Sequence, residues 1–175
     1  MTNYIYLAGP IAGMDGDDAN DWRDYVCQQF DQSQYNGQIV GVSPLRCEPP
    51  NEDGVYDSFL DRIDEQPWYR TPRAIDTKNQ LDTWRSSAIL AYMPESLIKE
   101  RLSVGTIMEI AWGIAIRKPV FLVSDYPALV NHPLIDRNVA SVCCDVDEAI
   151  EQIFSVYGVY TIQPVAFISH VGEKE

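Results

Sequence analysis

At 175 residues the chain has the length of one domain with a substantial core. Its 46% hydrophobic and 22% charged residues are the ordinary balance of a globular protein. With 13 basic against 26 acidic side chains the net charge is −13, which argues against a nucleic-acid polymer or an anionic membrane as partner, because either needs a positive patch.

The elements alternate. Tyr4-Ile5-Tyr6-Leu7-Ala8 is a short buried-type strand closed by Gly9-Pro10. Residues 17–32 carry Trp22, Tyr25, Val26 and Phe30 at helical spacing, and a second strand over 38–42 stops at Ser43-Pro44. Residues 45–72 are polar, acidic and proline-rich, a long excursion of the kind that often carries function. A helix is expected over 74–86, a strand over 88–92, a helix after Gly105, strands over 119–123 and 139–142, a last helix over 146–157 and a tail from about residue 160. This order predicts a single domain built on a doubly wound, mainly parallel α/β sheet, a flavodoxin-like or Rossmann-like three-layer sandwich. Ligands in such folds bind at the carboxyl ends of the strands. Three segments fall there: Gly9-Pro10, the long loop, and Ser103 to Glu109.

Several chemistries are excluded or disfavoured. Gly9, Gly13 and Gly16 follow a strand but not at the Gly-x-Gly-x-x-Gly spacing of a dinucleotide site. Walker A and Gly-x-Ser-x-Gly sequences are missing. Two histidines, His132 and His170, and four cysteines without Cys-x-x-Cys give no metal-ligand set, so neither metal nor cofactor is expected. Cys27, Cys47, Cys143 and Cys144 read as buried free thiols of a reducing compartment. No signal-peptide pattern and no apolar run of the ~20 residues a membrane span needs is visible, so a cytoplasmic location without membrane contact is expected. His132, in Asn131-His132-Pro133, reads as a structural loop residue.

Glu109 stands out. It lies in Ser103-Val104-Gly105-Thr106-Ile107-Met108-Glu109-Ile110-Ala111-Trp112-Gly113, a helix that reads as buried on most sides. An unpaired carboxylate there costs several kcal/mol or takes up a proton, which a chain tolerates where the carboxylate does chemistry. The alternative is a narrow solvent stripe. Asp76, Asn79 and Asp82, three apart, share a helix face. They matter if that face meets Glu109, since a carboxylate nucleophile opposite groups that bind a leaving group suits substitution at an anomeric carbon; a solvated polar face explains them equally well.

These residues together resemble the nucleoside 2-deoxyribosyltransferase family, especially its bacteriophage forms. The likeness rests on Tyr6-Leu7-Ala8-Gly9-Pro10, on the helix from Lys78-Asn79 to Ser86-Ser87, on Ser103-Val104-Gly105-Thr106-Ile107-Met108-Glu109, on Lys118-Pro119-Val120 and on Asp136-Arg137-Asn138. The resemblance implies retaining transfer of 2-deoxyribose between nucleobases, with deoxynucleosides and free bases as substrates and Glu109 as nucleophile. It implies that Tyr6 orients Glu109, that Gly9, Pro10, Ser103 and Gly105 bind substrate, and that Asn138 reaches the sugar in a neighbouring subunit of a homo-oligomer, a hexamer or smaller. Two positions depart from the family. Asn79 replaces an aspartate that handles the base, and an amide donates a hydrogen bond but supplies no proton; Asp82 or Asp76 takes over, or water protonates the base. Ser103 is shared with related nucleoside 5′-monophosphate N-glycosidases, which are the alternative reading, together with a protein that binds nucleosides or nucleotides with weak catalysis.

Overall fold

The computed structural model of the protein describes residues 1–46, 53–56 and 71–158. Most of the 45–72 excursion, Cys47, His170 and the tail lie outside the described residues.

Five strands form one all-parallel sheet: β1 (Asn3–Ala8), β2 (Ile39–Val42), β3 (Ala88–Tyr92), β4 (Val120–Val123) and β5 (Ser141–Cys143), in the order β2-β1-β3-β4-β5. The register sets Tyr6 beside Val42 on one side and Ile89 on the other. β1 from Ile5 to Ala8, β3 from Ala88 to Ala91 and all of β4 are buried and apolar because helices cover both faces. Strand order reverses between β1 and β3, so a crevice opens beyond their carboxyl ends.

Helices α1 (Gly16–Gln32) and α7 (Val146–Ile153) cover one face. There Ile5, Leu7, Trp22, Val26, Phe30, Leu90 and Ile150 share one core. Asp15 caps α1 by accepting from the Asp17 N–H at 2.9 Å, with Asp17 and Asp18 in the first turn where the helix dipole favours anions. Helices α2 (Pro72–Arg85) and α4 (Val104–Ala115) cover the other face, over a core of Tyr6, Ala8, Ile89, Ala91, Ile110 and Leu122. Thr71 and Ser103 cap α2 and α4. Short helical turns α3 (Glu95–Ile98), α5 (Pro127–Val130) and α6 (Pro133–Asp136) follow β3 and β4.

Four expectations are revised. Strand β5 begins at Ser141 rather than residue 139, since the Ala140 N–H already bonds the Val120 carbonyl from outside the ladder. The last helix leaves α geometry at Ile153 and widens into a π turn, Phe154–Gly158, where Gly158 packs on the Tyr35 ring. Cys143 is buried at the end of β5, but Cys144 is exposed, because the pleat turns the next side chain away from the sheet. Helix α4 is not buried on most sides. Thr106, Glu109, Ile110 and Gly113 face inward at i, i+3, i+4, i+7, while Val104, Met108 and Ile116 are exposed.

Among the described residues no helix is long and apolar enough to cross a membrane. No group of three metal-ligating side chains occurs among them either.

Candidate active site

The site forms where β1, α2 and α4 meet. Tyr6 points from β1 toward the α2/α4 layer, and its hydroxyl donates to Glu109 Oε1 at 2.6 Å within the protein interior. From α2, Asn79 Nδ2 donates to the same oxygen at 3.2 Å. Lys78 Nζ donates to Asn79 Oδ1 at 3.0 Å and also reaches the Pro44 carbonyl, which turns the amide so that its NH2 faces Glu109. Both donors converge on Oε1, so Oε2 has no hydrogen-bond donor among the described residues. Among the described residues one oxygen is pinned and the other takes no donor.

Glu109 is 6% exposed. Burial pushes its carboxyl from the ordinary range up to about 7, and the Tyr6 hydroxyl, Arg23, Lys78 and the Asn79 amide all pull in the opposite direction. The group therefore changes charge near neutrality. The Tyr6 phenol is held well above its usual range, first by burial and then by the Glu109 charge, so it remains a donor. Arg23, fully buried on α1, is pulled by burial down to about 10 and stays cationic.

A cavity of about 640 Å³ opens in front of this carboxylate. Its floor is the Gly9-Pro10 turn and its wall the first turn of α4, with Ser103, Val104, Gly105 and Thr106. Gly9 is needed there: a Cβ would come within 2.7 Å of Trp22, 3.0 Å of Arg23 and 3.3 Å of the Tyr92 carbonyl. Ser103 Oγ lies 2.8 Å from Thr106 Oγ1 while capping α4. Lys99, Glu100 and Arg101 also line the cavity, so basic residues stand at the pocket of a chain whose net charge is strongly negative.

The expected residues thus divide. Tyr6 and Asn79 each bond Glu109, and Asn79 and Glu109 line the cavity together with Gly9, Pro10, Ser103 and Gly105. Asp82 does not line it; Arg46 Nη2 lies 2.7 and 2.6 Å from its two oxygens. The slow drift of a three-residue spacing around a helix explains why Asp82 misses the Asn79 direction, and Asp76 is exposed. Asn138 is exposed, donates to the Leu134 carbonyl at 2.9 Å and does not line this cavity. His132 caps α6, its Nδ1 accepting from the Leu134 N–H at 3.3 Å, a structural position.

Among solved structures the chain is similar to a 2-deoxyribosyltransferase from the psychrotolerant bacterium Bacillus psychrosaccharolyticus, with a TM-score of 0.56, 15% identity, and coverage of 88% of this chain and 95% of that one. The fold is shared with a deoxyribosyltransferase. A molybdenum cofactor binding protein from the phototrophic bacterium Rippkaea orientalis is also similar, with a TM-score of 0.50, 17% identity, and coverage of 89% and 98%. At these identities the likeness is one of fold. No protein-family description and no curated protein sequence matches the chain.

Sequence reading missed Arg23, Lys78 and Lys99. Arg23 carried a faint signal, a cation among the apolar positions of α1. Lys99 carried none, and Lys78 entered only as the first residue of the helix block that bears the family likeness, without a role of its own.

Proposed function

We propose that the protein transfers 2-deoxyribose between nucleobases, with Glu109 as nucleophile. The observation that carries this reading is a buried carboxylate at a cavity wall, one oxygen held by Tyr6 at 2.6 Å and Asn79 at 3.2 Å, the other unoccupied by any donor among the described residues. Oε2 attacks C1′ of a deoxynucleoside, the C1′–N bond breaks, and its electron pair leaves with the base. Asn79 steadies the carboxylate but has no acidic proton, so the departing base takes its proton from water or from an ionisable group nearby. The acceptor base then attacks C1′ and loses its N–H proton to solvent, while the C1′–Oε2 pair returns to Glu109. Two inversions give retention. Absence of the 2′-hydroxyl makes the oxocarbenium-like centre easier to form, and the enclosed pocket limits hydrolysis of the ester.

A second reading, hydrolysis of deoxynucleoside 5′-monophosphates, is favoured by one observation: Lys99 and Arg101 stand on the cavity wall with Ser103. The exposed apolar side chains of α2 and α4, Leu81, Trp84, Val104 and Met108, support a homo-oligomer in which that surface is covered. Asn138 is then the residue assigned to a neighbour's sugar.

The test is chromatographic. Deoxyadenosine and its 5′-monophosphate are incubated with and without cytosine or hypoxanthine, beside Glu109→Ala. New deoxynucleoside appearing only with acceptor, and falling at least ~10³-fold in the variant, is the expected result. Free base released from the monophosphate without acceptor supports the second reading. Tight binding without turnover of either supports a protein that binds and does no chemistry.

A further inference from the structure

Arg23 heads the fully buried side chains by volume, with no exposure to solvent. Among the described residues its hydrogen bonds all go to neutral backbone. Nε donates to the Leu7 carbonyl at 3.1 Å, Nη2 to the Gly9 carbonyl at 3.0 Å, and Nη1 to the Ala19 carbonyl of its own helix. The Trp22 ring lies 4.4 Å from the guanidinium carbon. Among the described residues no carboxylate lies within ion-pair distance of it. A buried full charge held only by carbonyls is an expensive arrangement. Neutral donors suffice to tie carbonyls together, so the charge itself calls for a reason.

The reason lies across the sheet. Leu7 and Gly9 are at the carboxyl end of β1; Trp22 and Arg23 approach from the α1 side, while Tyr6 and Glu109 meet on the α4 side. The two buried charges flank the same strand end. Each acts on the other in the stabilising direction, because a low dielectric in the protein interior lets charge act over distance.

We propose that Arg23 is a positioning residue of the active site: it fastens the Gly9-Pro10 turn as the cavity floor and supplies the positive charge that balances the Glu109 carboxylate across β1. The inference rests on the reading of Glu109 as nucleophile. Its consequence for catalysis is specific. Bond formation between Oε2 and C1′ turns the carboxylate into a neutral ester and strands the Arg23 charge. Return of the C1′–Oε2 electron pair restores the balance, so Arg23 favours ionised Glu109 before attack and its departure in the second half of the reaction.

The groups that act on Glu109 are Tyr6 from β1, Lys78 and Asn79 from α2 and, across β1, Arg23 from α1; Asp82 acts on Tyr6, and Lys99, Glu100 and Arg101 stand at the exposed cavity wall. Arg23→Met and Arg23→Lys leave all the others in place. The first measurement is an isotope-edited infrared titration of the Glu109 carboxyl, assigned by difference against Glu109→Gln, which reads the charge whether or not transfer occurs. The Glu109 carboxyl of the unmutated protein is expected to titrate near 7. Arg23→Met is expected to raise that midpoint by ~1 unit or more and Arg23→Lys to leave it within ~0.5 unit. An unmoved midpoint in folded Arg23→Met overturns the proposal. The second measurement is thermal stability at pH 5.5 and 8.5. Arg23→Met is expected to lose more at the higher pH, where Glu109 is ionised, and to regain that excess when combined with Glu109→Gln. A loss equal at both pH values and unrelieved by Glu109→Gln, outright failure to fold included, overturns it and leaves Arg23 as a tie between carbonyls. The acid limb of the transfer rate shifts with the infrared midpoint. Absence of transfer in every variant, with the midpoint still moved, removes the proposed function and leaves the charge pairing standing.

Discussion

The two faces of the sheet solve opposite problems. Beneath α1 and α7 the packing is sealed: Val26, Phe30, Leu90 and Ile153 have no exposure, and the aspartates of α1 point to solvent while Arg23 alone of its charged residues turns inward. Beneath α2 and α4 the arrangement is inverted. Glu109 and Tyr6 are inside, while Leu81, Trp84, Val104 and Met108 are outside. A helix that hides its carboxylate and displays its methyl groups is not optimised as a lone surface element. One face therefore supplies stability, and the other gives some up for chemistry and contact.

The contrast can be broken from either side. Phe30→Ala, on the sealed face, is expected to cost about 3–5 kcal/mol by urea denaturation, because the void cannot collapse against the π turn and Tyr35. Glu109→Gln, on the other face, is expected to stabilise. With its folded-state carboxyl near 7 against an ordinary 4.5, the folded protein binds more protons than the unfolded chain between those values. Stability thus falls as pH rises through that window, and at pH 8 the glutamine variant is expected to be ahead by about 3 kcal/mol, with the pH slope removed. An unchanged slope by denaturation at pH 5 and pH 8 means that Glu109 is ionised at little cost. The smallest effect on folding belongs to Met108→Lys, within about 1 kcal/mol because the position is 45% exposed. Its expected signature is in sedimentation velocity, as a shift to smaller species. The same sedimentation coefficient in both proteins places the assembly surface elsewhere.

Much of this was legible in the chain. The apolar runs of β1, β3 and β4 have lengths that suit buried parallel strands and little else, and their alternation with helices dictated the layering. Glu109 was conspicuous because a carboxylate interrupts an apolar helix. What the run could not reveal was which way the rest of α4 faced: with no polar stripe to mark the outside, Val104 and Met108 read as core. The polar pair that resolves it, Tyr6 and Asn79, comes from distant segments. Likewise the spacing of Asp76, Asn79 and Asp82 gave three candidates on one helix, and it takes the drift of that spacing together with Arg46, supplied by the segment after β2, to separate Asp82 from the cavity. Arg23 shows a further limit. Its charge is explained by a group on the opposite face of the sheet, a relation that periodicity along one helix does not carry.

Tyr6 and Glu109 stand 103 positions apart and meet only through the completed β1/β3 arrangement and the helix that follows it. On a ribosome adding roughly 5–20 residues per second, the tyrosine emerges some 5–20 s before its partner. In that interval β1, destined for the interior of the sheet, can pair with β2 on one side while its other edge waits for β3. A nascent chain halted before α4 therefore has half a crevice and no carboxylate in it. The reactive group arrives late, once the strands that will shield it from water have been made.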